Sequence, residues 1–206
     1  MAESVPERLP RGRHGLSREQ VEQSQRSRIY LAMAAAMADK GYVGTSVADV
    51  LKRSGVGRES FYQLFSSKLD CFLQAFDVAG QMLASRLDQA VNDAGGTPLE
   101  RFEHSFGEYL AVLAEQPALA RVFLVEVYAA GPEALERRAA VQERIVDRMA
   151  EILEARTDRE RFACRVLVAA VSTLVTGPLV TQDTAAVRAL HPQVVDLVRA
   201  ALATRP

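Results

Sequence analysis

The chain has no tryptophan, two cysteines and three histidines among its 206 residues, and each scarcity removes a class of chemistry. Cys71 and Cys164 lie far apart without metal-ligand spacing, so neither a disulfide framework nor a zinc site is expected. Both read as reduced core thiols, as in a cytosolic protein. His14, His104 and His191 are scattered. No Ser-His-Asp order, metal spacing or glycine-rich phosphate loop runs through them, so no catalytic residue, metal or cofactor is assigned and an enzyme is not expected. The stretch 1–15 lacks the apolar segment of a secretory signal. The most apolar run, Val166–Val180, is short for a membrane span and contains Ser172, Thr173, Thr176, Gly177 and Pro178, so a buried helix is expected there. Stretches of period-two alternation are few, which leaves little room for strands.

What the chain has in quantity is Ala, Leu, Val, Arg and Glu, a largely helix-favouring set, and its apolar share suffices for a substantial core. The formal charge is −1, but it is unevenly placed: residues 1–68 hold 11 Lys/Arg against 7 Asp/Glu, and residues 69–206 hold 14 against 19. Only the basic N-terminal part is suited to meet a polyanion. The expected fold is all-α, with a flexible basic arm at 1–16, a three-helix domain at 17–66 and a helical body at 67–206. In the arm, Arg8, Arg11, Arg13 and His14 belong either to a solvated tail or to a segment that tracks phosphates or enters a minor groove.

The three-helix domain is organised around residues 46–65. Ser17-x-x-Gln20 is a capping box that opens a first helix to about Lys40, with Ile29, Met33, Ala36 and Met37 as its inner stripe and Gly41 at its end. Ser46-x-x-Asp49 caps a second helix whose inner residues are Val47, Val50, Leu51 and Ser54. Gly55-Val56-Gly57 breaks it. A short third helix then points Phe61, Leu64 and Phe65 inward and Arg58, Glu59, Tyr62 and Gln63 outward. Two turns of helix are not stable alone, so the apolar side must pack on its neighbours. The outer side is then a polar, aromatic-bearing ridge, the geometry of a helix-turn-helix whose second helix enters a DNA major groove.

The body punctuates itself with caps and prolines. A long helix from Ser67-x-x-Asp70 to about Asn92 ends at Gly95-Gly96. Thr97-Pro98 opens a helix to about Glu115, Pro117 another to near Gly131, and Pro132 a third to about Ala155. Thr157-x-x-Glu160 caps a helix whose stretch Phe162–Val175 is apolar nearly all round, with Gly177-Pro178 breaking or kinking it. The last helix begins at Thr184 or, more surely, at His191-Pro192, and ends near Ala203. A helix apolar all round needs partners on every side, and the expected partner is a second copy, giving a homodimer through the last two helices as a four-helix bundle.

The residues Gly41-Tyr42, Thr45-Ser46-Val47, Val50, Ser54-Gly55-Val56, Ser60-Phe61-Tyr62, Phe65 and Lys68 together resemble the signature of the TetR (tetracycline-repressor) family of bacterial transcription regulators. The resemblance implies an N-terminal helix-turn-helix DNA-binding domain and a C-terminal ligand-binding and dimerisation domain, in a cytoplasmic, nucleoid-associated protein. Its partners would be a double-stranded DNA operator and a small-molecule effector, with repression the commoner outcome. It places Thr45, Ser46, Tyr62 and Lys68 on phosphate, Ser60 on the recognition helix, and Arg58, Glu59 and Gln63 at variable positions facing the groove. Arg suits guanine and Gln suits adenine, so Arg58 and Gln63 are the expected base readers. Three departures stand out. Gly57 replaces the common Ser or Thr and removes a hydroxyl cap, Leu64 replaces a frequent His, and Glu59 replaces a small residue and is expected to serve within the helix or face solvent.

An effector space is expected between the body helices, lined by Phe102, Phe106, Tyr109, Phe123, Val127 and Val168, with His104, Glu126 and Tyr128 as polar contacts. Such a lining suits a hydrophobic or mildly cationic molecule. The rival reading is a helical protein-binding adaptor without specific DNA binding.

Overall fold

The computed structural model describes residues 17–204. The arm expected at 1–16 lies outside the described residues. Among those described, the chain forms helices and turns with no strand. It divides into two compact units, with the division between Phe76 and Asp77. That point falls inside a helix.

The first unit holds α1 (Arg18–Gly44), α2 (Val47–Ser54), α3 (Arg58–Leu64) and the first turns of α4 (Lys68–Ala94). Ser17 and Gln20 form the reciprocal capping box that starts α1. Gly41 (φ 69°) interrupts α1 where the helix was expected to end, and the chain makes one more turn to Gly44. Ile29, Met33, Ala36 and Met37 are buried at helical spacing. Val50 of α2, Phe61 and Leu64 of α3, and then Phe65, Cys71 and Phe72 are buried as well. Tyr30, Phe61 and Phe65 make ring contacts at 5.3–5.7 Å. Burial of this side is what holds so short a helix as α3 in place.

The second unit holds the rest of α4, then α5 (Pro98–Glu115), α6 (Pro117–Leu124), a 3-10 turn (Glu126–Ala130), α7 (Pro132–Ile152), α8 (Asp158–Thr181) and α9 (Thr184–Ala203). Thr97 and Thr157 cap α5 and α8 with their partners Glu100 and Glu160. α5 packs along α9, and α8 packs on α6, α7 and α9. The core contains Phe102, Phe106, Leu110, Val168, Val175, Leu179, Val187 and Val195.

Two expectations are corrected here. α8 passes through Gly177-Pro178 and ends at Thr181; Pro178 lies within the last turn, where it leaves the Leu174 carbonyl without its backbone donor and crowds it. α9 starts at Thr184, capped by the Asp183 carboxylate on the Ala186 N–H at 2.9 Å, so His191-Pro192 lies mid-helix and opens nothing. Within a single chain α8 is partly covered: Cys164, Val168, Val175 and Leu179 are buried, and Phe162, Val166, Leu174 and Val180 are exposed. By length and composition α8 could cross a membrane; here its buried residues belong to the core of the second unit.

Candidate nucleic-acid interface

The ridge on α3 forms because the α2–α3 turn closes tightly. Gly55 adopts the left-handed conformation (φ 64°, ψ 22°) and returns its N–H to the Leu51 carbonyl at 2.9 Å. Arg28 donates to the Ser54 carbonyl through Nε at 3.1 Å, answering an orphan acceptor at the end of α2. Gly57 is the N-cap of α3, and it supplies no side-chain hydrogen bond.

Outward from this turn stand Arg58, Glu59, Tyr62 and Gln63, all exposed. The Arg58 guanidinium lies 5.9 Å from the Tyr62 ring centre, and the Tyr62 ring meets Phe61 edge-on at 5.3 Å. Tyr62 is therefore braced from within its own helix while its other surface stays open. Gln63 donates to Glu59 at 3.5 Å, a long contact one turn apart, which gives Glu59 the intrahelical role expected of it. Arg58 has no carboxylate partner among the described residues. Ser60 is half-buried at the edge of the ridge.

Thr45, Ser46 and Lys68 are placed differently. Thr45 is buried, and its hydroxyl donates to the Gly41 carbonyl at 2.8 Å. In this conformation its one O–H serves the α1–α2 turn. Ser46 is exposed, but its Oγ accepts from the Asp49 N–H at 3.2 Å and donates to the Asp49 carboxylate at 2.6 Å. Asp49 is further gripped by Lys40, and these hydrogen bonds hold its carboxyl well below the usual range. Lys68 donates to the carbonyls of Tyr42 at 2.9 Å and Thr45 at 3.0 Å, with its ammonium 4.1 Å from the Tyr42 ring centre. Burial lowers its pKa. Two of its three donors thus tie α4 to the turn before α2, leaving one for an anion. Sequence reasoning missed this clamp because it joins residues distant in sequence through carbonyls that carry no side-chain signal.

Residues 29–75, which span this arrangement, match the model of the bacterial regulatory proteins of the tetR family. The chain carries a TetR-family helix-turn-helix segment. The chain is 27% identical over 165 residues to an uncharacterised HTH-type transcriptional regulator of Haemophilus influenzae, with 78% of each chain covered. Two solved structures share its fold. The fatty acid degradation regulator FadR of Bacillus halodurans is 19% identical with a TM-score of 0.74, over 87% of this chain and 98% of that one. FadR of Bacillus subtilis, in complex with stearoyl-CoA, is 19% identical with a TM-score of 0.73, over 82% and 95%. At such identity the likeness is one of fold.

In the second unit, four of the six residues expected around an effector are buried: Phe102, Phe106, Val127 and Val168. Tyr109 and Phe123 are partly buried. Phe102 stacks on Phe106 at 5.5 Å, and Phe106 is continued by Tyr109 at 6.3 Å and His191 at 5.9 Å. His191 was not expected here. A ring nitrogen lies 3.1 Å from the Glu103 carbonyl, and the bare Gly107 leaves it room. Of the expected polar contacts, His104 and Tyr128 are exposed and Glu126 accepts from Arg121 at 2.9 Å.

Proposed function

We propose that this chain is a ligand-responsive regulator, a repressor that binds a pseudo-palindromic operator as a homodimer in the cytoplasm and is released by a small-molecule effector. The observation that carries the reading is the outer face of α3, where Arg58, Tyr62 and Gln63 stand exposed on a helix anchored from behind by Phe61 and Leu64. Tyr62, Ser46 and the remaining donor of Lys68 position the protein on phosphates, while Arg58 and Gln63, with Ser60 at the margin, read base edges. Thr45 acts indirectly, by holding the turn that orients Ser46.

Support for the homodimer comes from the side of α8 left open. Phe162, Val166, Leu174 and Val180 recur along one stripe with small residues between them, and Val166, Ala169, Ala170, Thr173 and Leu174 line a shallow apolar depression. Leu197 of α9 is likewise exposed. A second copy related by a two-fold axis would cover both. Two recognition helices would then meet half-sites about one turn of DNA, ~34–36 Å, apart or somewhat wider. The Bacillus subtilis FadR structure holds stearoyl-CoA, which supports a body of this fold as a ligand-binding domain.

The test is selection of bound sequences from a random DNA pool, repeated with candidate effectors. A two-fold symmetric consensus, bound less tightly at higher salt, supports the reading. Failure of a dimer to enrich any sequence would overturn it in favour of a protein-binding adaptor.

A further inference from the structure

α3 ends at its C-cap Phe65, and the chain turns through Ser66-Ser67 into α4. A closed ring of contacts surrounds that turn. Ser66 donates twice to one oxygen of the Asp70 carboxylate, through its N–H at 2.8 Å and its hydroxyl at 3.0 Å. The Gln74 amide donates to the other Asp70 oxygen at 2.8 Å. Gln74 Oε1 in turn accepts from Arg26 at 2.8 Å and from the Tyr30 hydroxyl at 3.3 Å, both on α1. The ring closes on Phe65. Tyr30 meets it edge-on at 5.7 Å, and the Arg26 guanidinium lies 5.3 Å from its centre.

Gln74 sits where the chemistry is set from both sides. Arg26 offers only donors, and the ionised Asp70 only acceptors. Burial alone would raise the Asp70 carboxyl, but the bonds from Gln74 and Ser66 and the charge of Arg26 hold it below its ordinary value, so it is ionised at neutral pH. A neutral amide accepts on one side and donates on the other. Turned over, it would set its NH2 against a guanidinium and its oxygen against a carboxylate, so its orientation is fixed as well. Arg26, Tyr30, Asp70 and Gln74 are all half-buried, where such bonds are stronger than in open water. From Phe65 the contacts run on along α3: Phe65 meets Phe61 at 5.3 Å, and Phe61 meets the ridge residue Tyr62 at 5.3 Å.

We propose that Gln74 is a positioning residue for DNA reading: by bridging α1 to Asp70 it fixes the end of α3 on α1, and with it the direction in which Arg58, Tyr62 and Gln63 are presented. This rests on the reading of α3 as the DNA-reading helix, and adds to it a residue that acts through Phe65 and not at the groove. Arg28 holds the Ser54 carbonyl in the turn before α3. α1 thus braces α3 at both ends, through Arg28 at its start and through Arg26 and Tyr30 at its finish.

The test compares, on the full chain, binding to the sequence selected from the random pool with binding to an unrelated duplex at low salt. Gln74→Met keeps the length of the side chain and removes its bonds to Arg26, Tyr30 and Asp70. It should lower the ratio of selected to unrelated binding by ~10-fold, the worth of one hydrogen bond to a charged group. Unrelated binding should be unchanged, because no cation is removed. Gln74→Glu keeps an acceptor for Arg26 but sets a second carboxylate against Asp70, and should lower the ratio as well. A folded Gln74→Met with a lower melting temperature and an unchanged ratio would overturn the proposal, since a merely structural role moves only the first. Should Gln74→Met fail to fold, Gln74→Glu decides by the same ratio. Hydrogen exchange of the α3 amides is read on the same proteins without DNA, and should quicken ~10-fold in the variants while the buried stretch of α1 exchanges as in wild type. A wild type that binds no DNA sinks the regulator reading, and the exchange rates then decide alone whether Gln74 holds α3. Selected binding with an unchanged ratio in the variants sinks this proposal alone.

Discussion

Arg58 and Lys68 show how two cations near the same surface come to do different work. Arg58 is exposed, unpaired by any described carboxylate and backed by an aromatic ring, so its donors are free for a guanine edge. Lys68 is held to two carbonyls of the α1–α2 turn and contributes first to the frame. Arg58→Ala should therefore cost ~1–3 kcal/mol of site-specific binding and relax base preference at one position, with thermal stability unchanged. A mobility-shift titration over single-base operator variants checks this, and unchanged preference at every position would refute the assignment. Asp49 makes a pH prediction. Hydrogen bonds from Lys40 and Ser46 lower its folded pKa below the ordinary 3.8. A carboxyl lowered on folding stabilises fully above its unfolded value, and that stability is lost as pH falls toward the folded one. The stability of the wild type over Asp49→Asn, read from urea unfolding, should hold from pH 7 to about 5 and shrink steadily below 4. A difference that stayed constant down to pH 2 would mean that Asp49 acts by shape and not by charge.

Among the elements, the α2–α3 turn is the most sensitive. Gly55 at φ 64° occupies a backbone region costly for a side chain bearing Cβ. Gly55→Ala should lower the stability of the first unit by roughly 1–2 kcal/mol and shift its urea midpoint without changing the slope. A variant as stable as wild type would show that the turn tolerates the strain. This turn was legible in the sequence because its cause is local: a capping box, a glycine after the last helical residue and an apolar triplet. The bounds of α8 and α9 were less so, because Gly177-Pro178 reads as a break or kink and His191-Pro192 as a helix start. Pro178 in a final turn and Pro192 in the interior are accommodated by tertiary packing that offsets the lost bonds, with Val175 and Leu179 buried on α8 and Val187, Val194, Val195 and Val198 on α9. The polar contacts around Gln74 were illegible for a related reason. Arg26 and Tyr30 reach it only when α1 lies beside α4.

For the whole molecule, the open stripe on α8 decides what is still to be covered. A single chain leaves Phe162, Val166, Leu174 and Val180 exposed, which is unfavourable for side chains of this size. Leu174→Glu should therefore weaken self-association by roughly 1.5–3 kcal/mol per copy for the lost burial alone, while the far-ultraviolet spectrum keeps its helical form. Sedimentation equilibrium should show dimers of wild type and monomers of the variant at micromolar concentration. A variant that remains dimeric would move the interface elsewhere. What the sequence by itself determined is whatever follows from spacing along a helix: the all-α class, the caps, the inner face of the three-helix domain and the outward set Arg58, Tyr62 and Gln63. What only the tertiary structure decided is which polar groups find partners. Thr45 and Lys68 are bound to backbone carbonyls, Glu126 to Arg121, and the buried Arg138 Nε is left without a hydrogen-bond partner among the described residues. The reason is physical. Helical periodicity is a local property of the chain, whereas the satisfaction of a buried donor depends on which distant atoms the packed helices bring within about 3 Å of it.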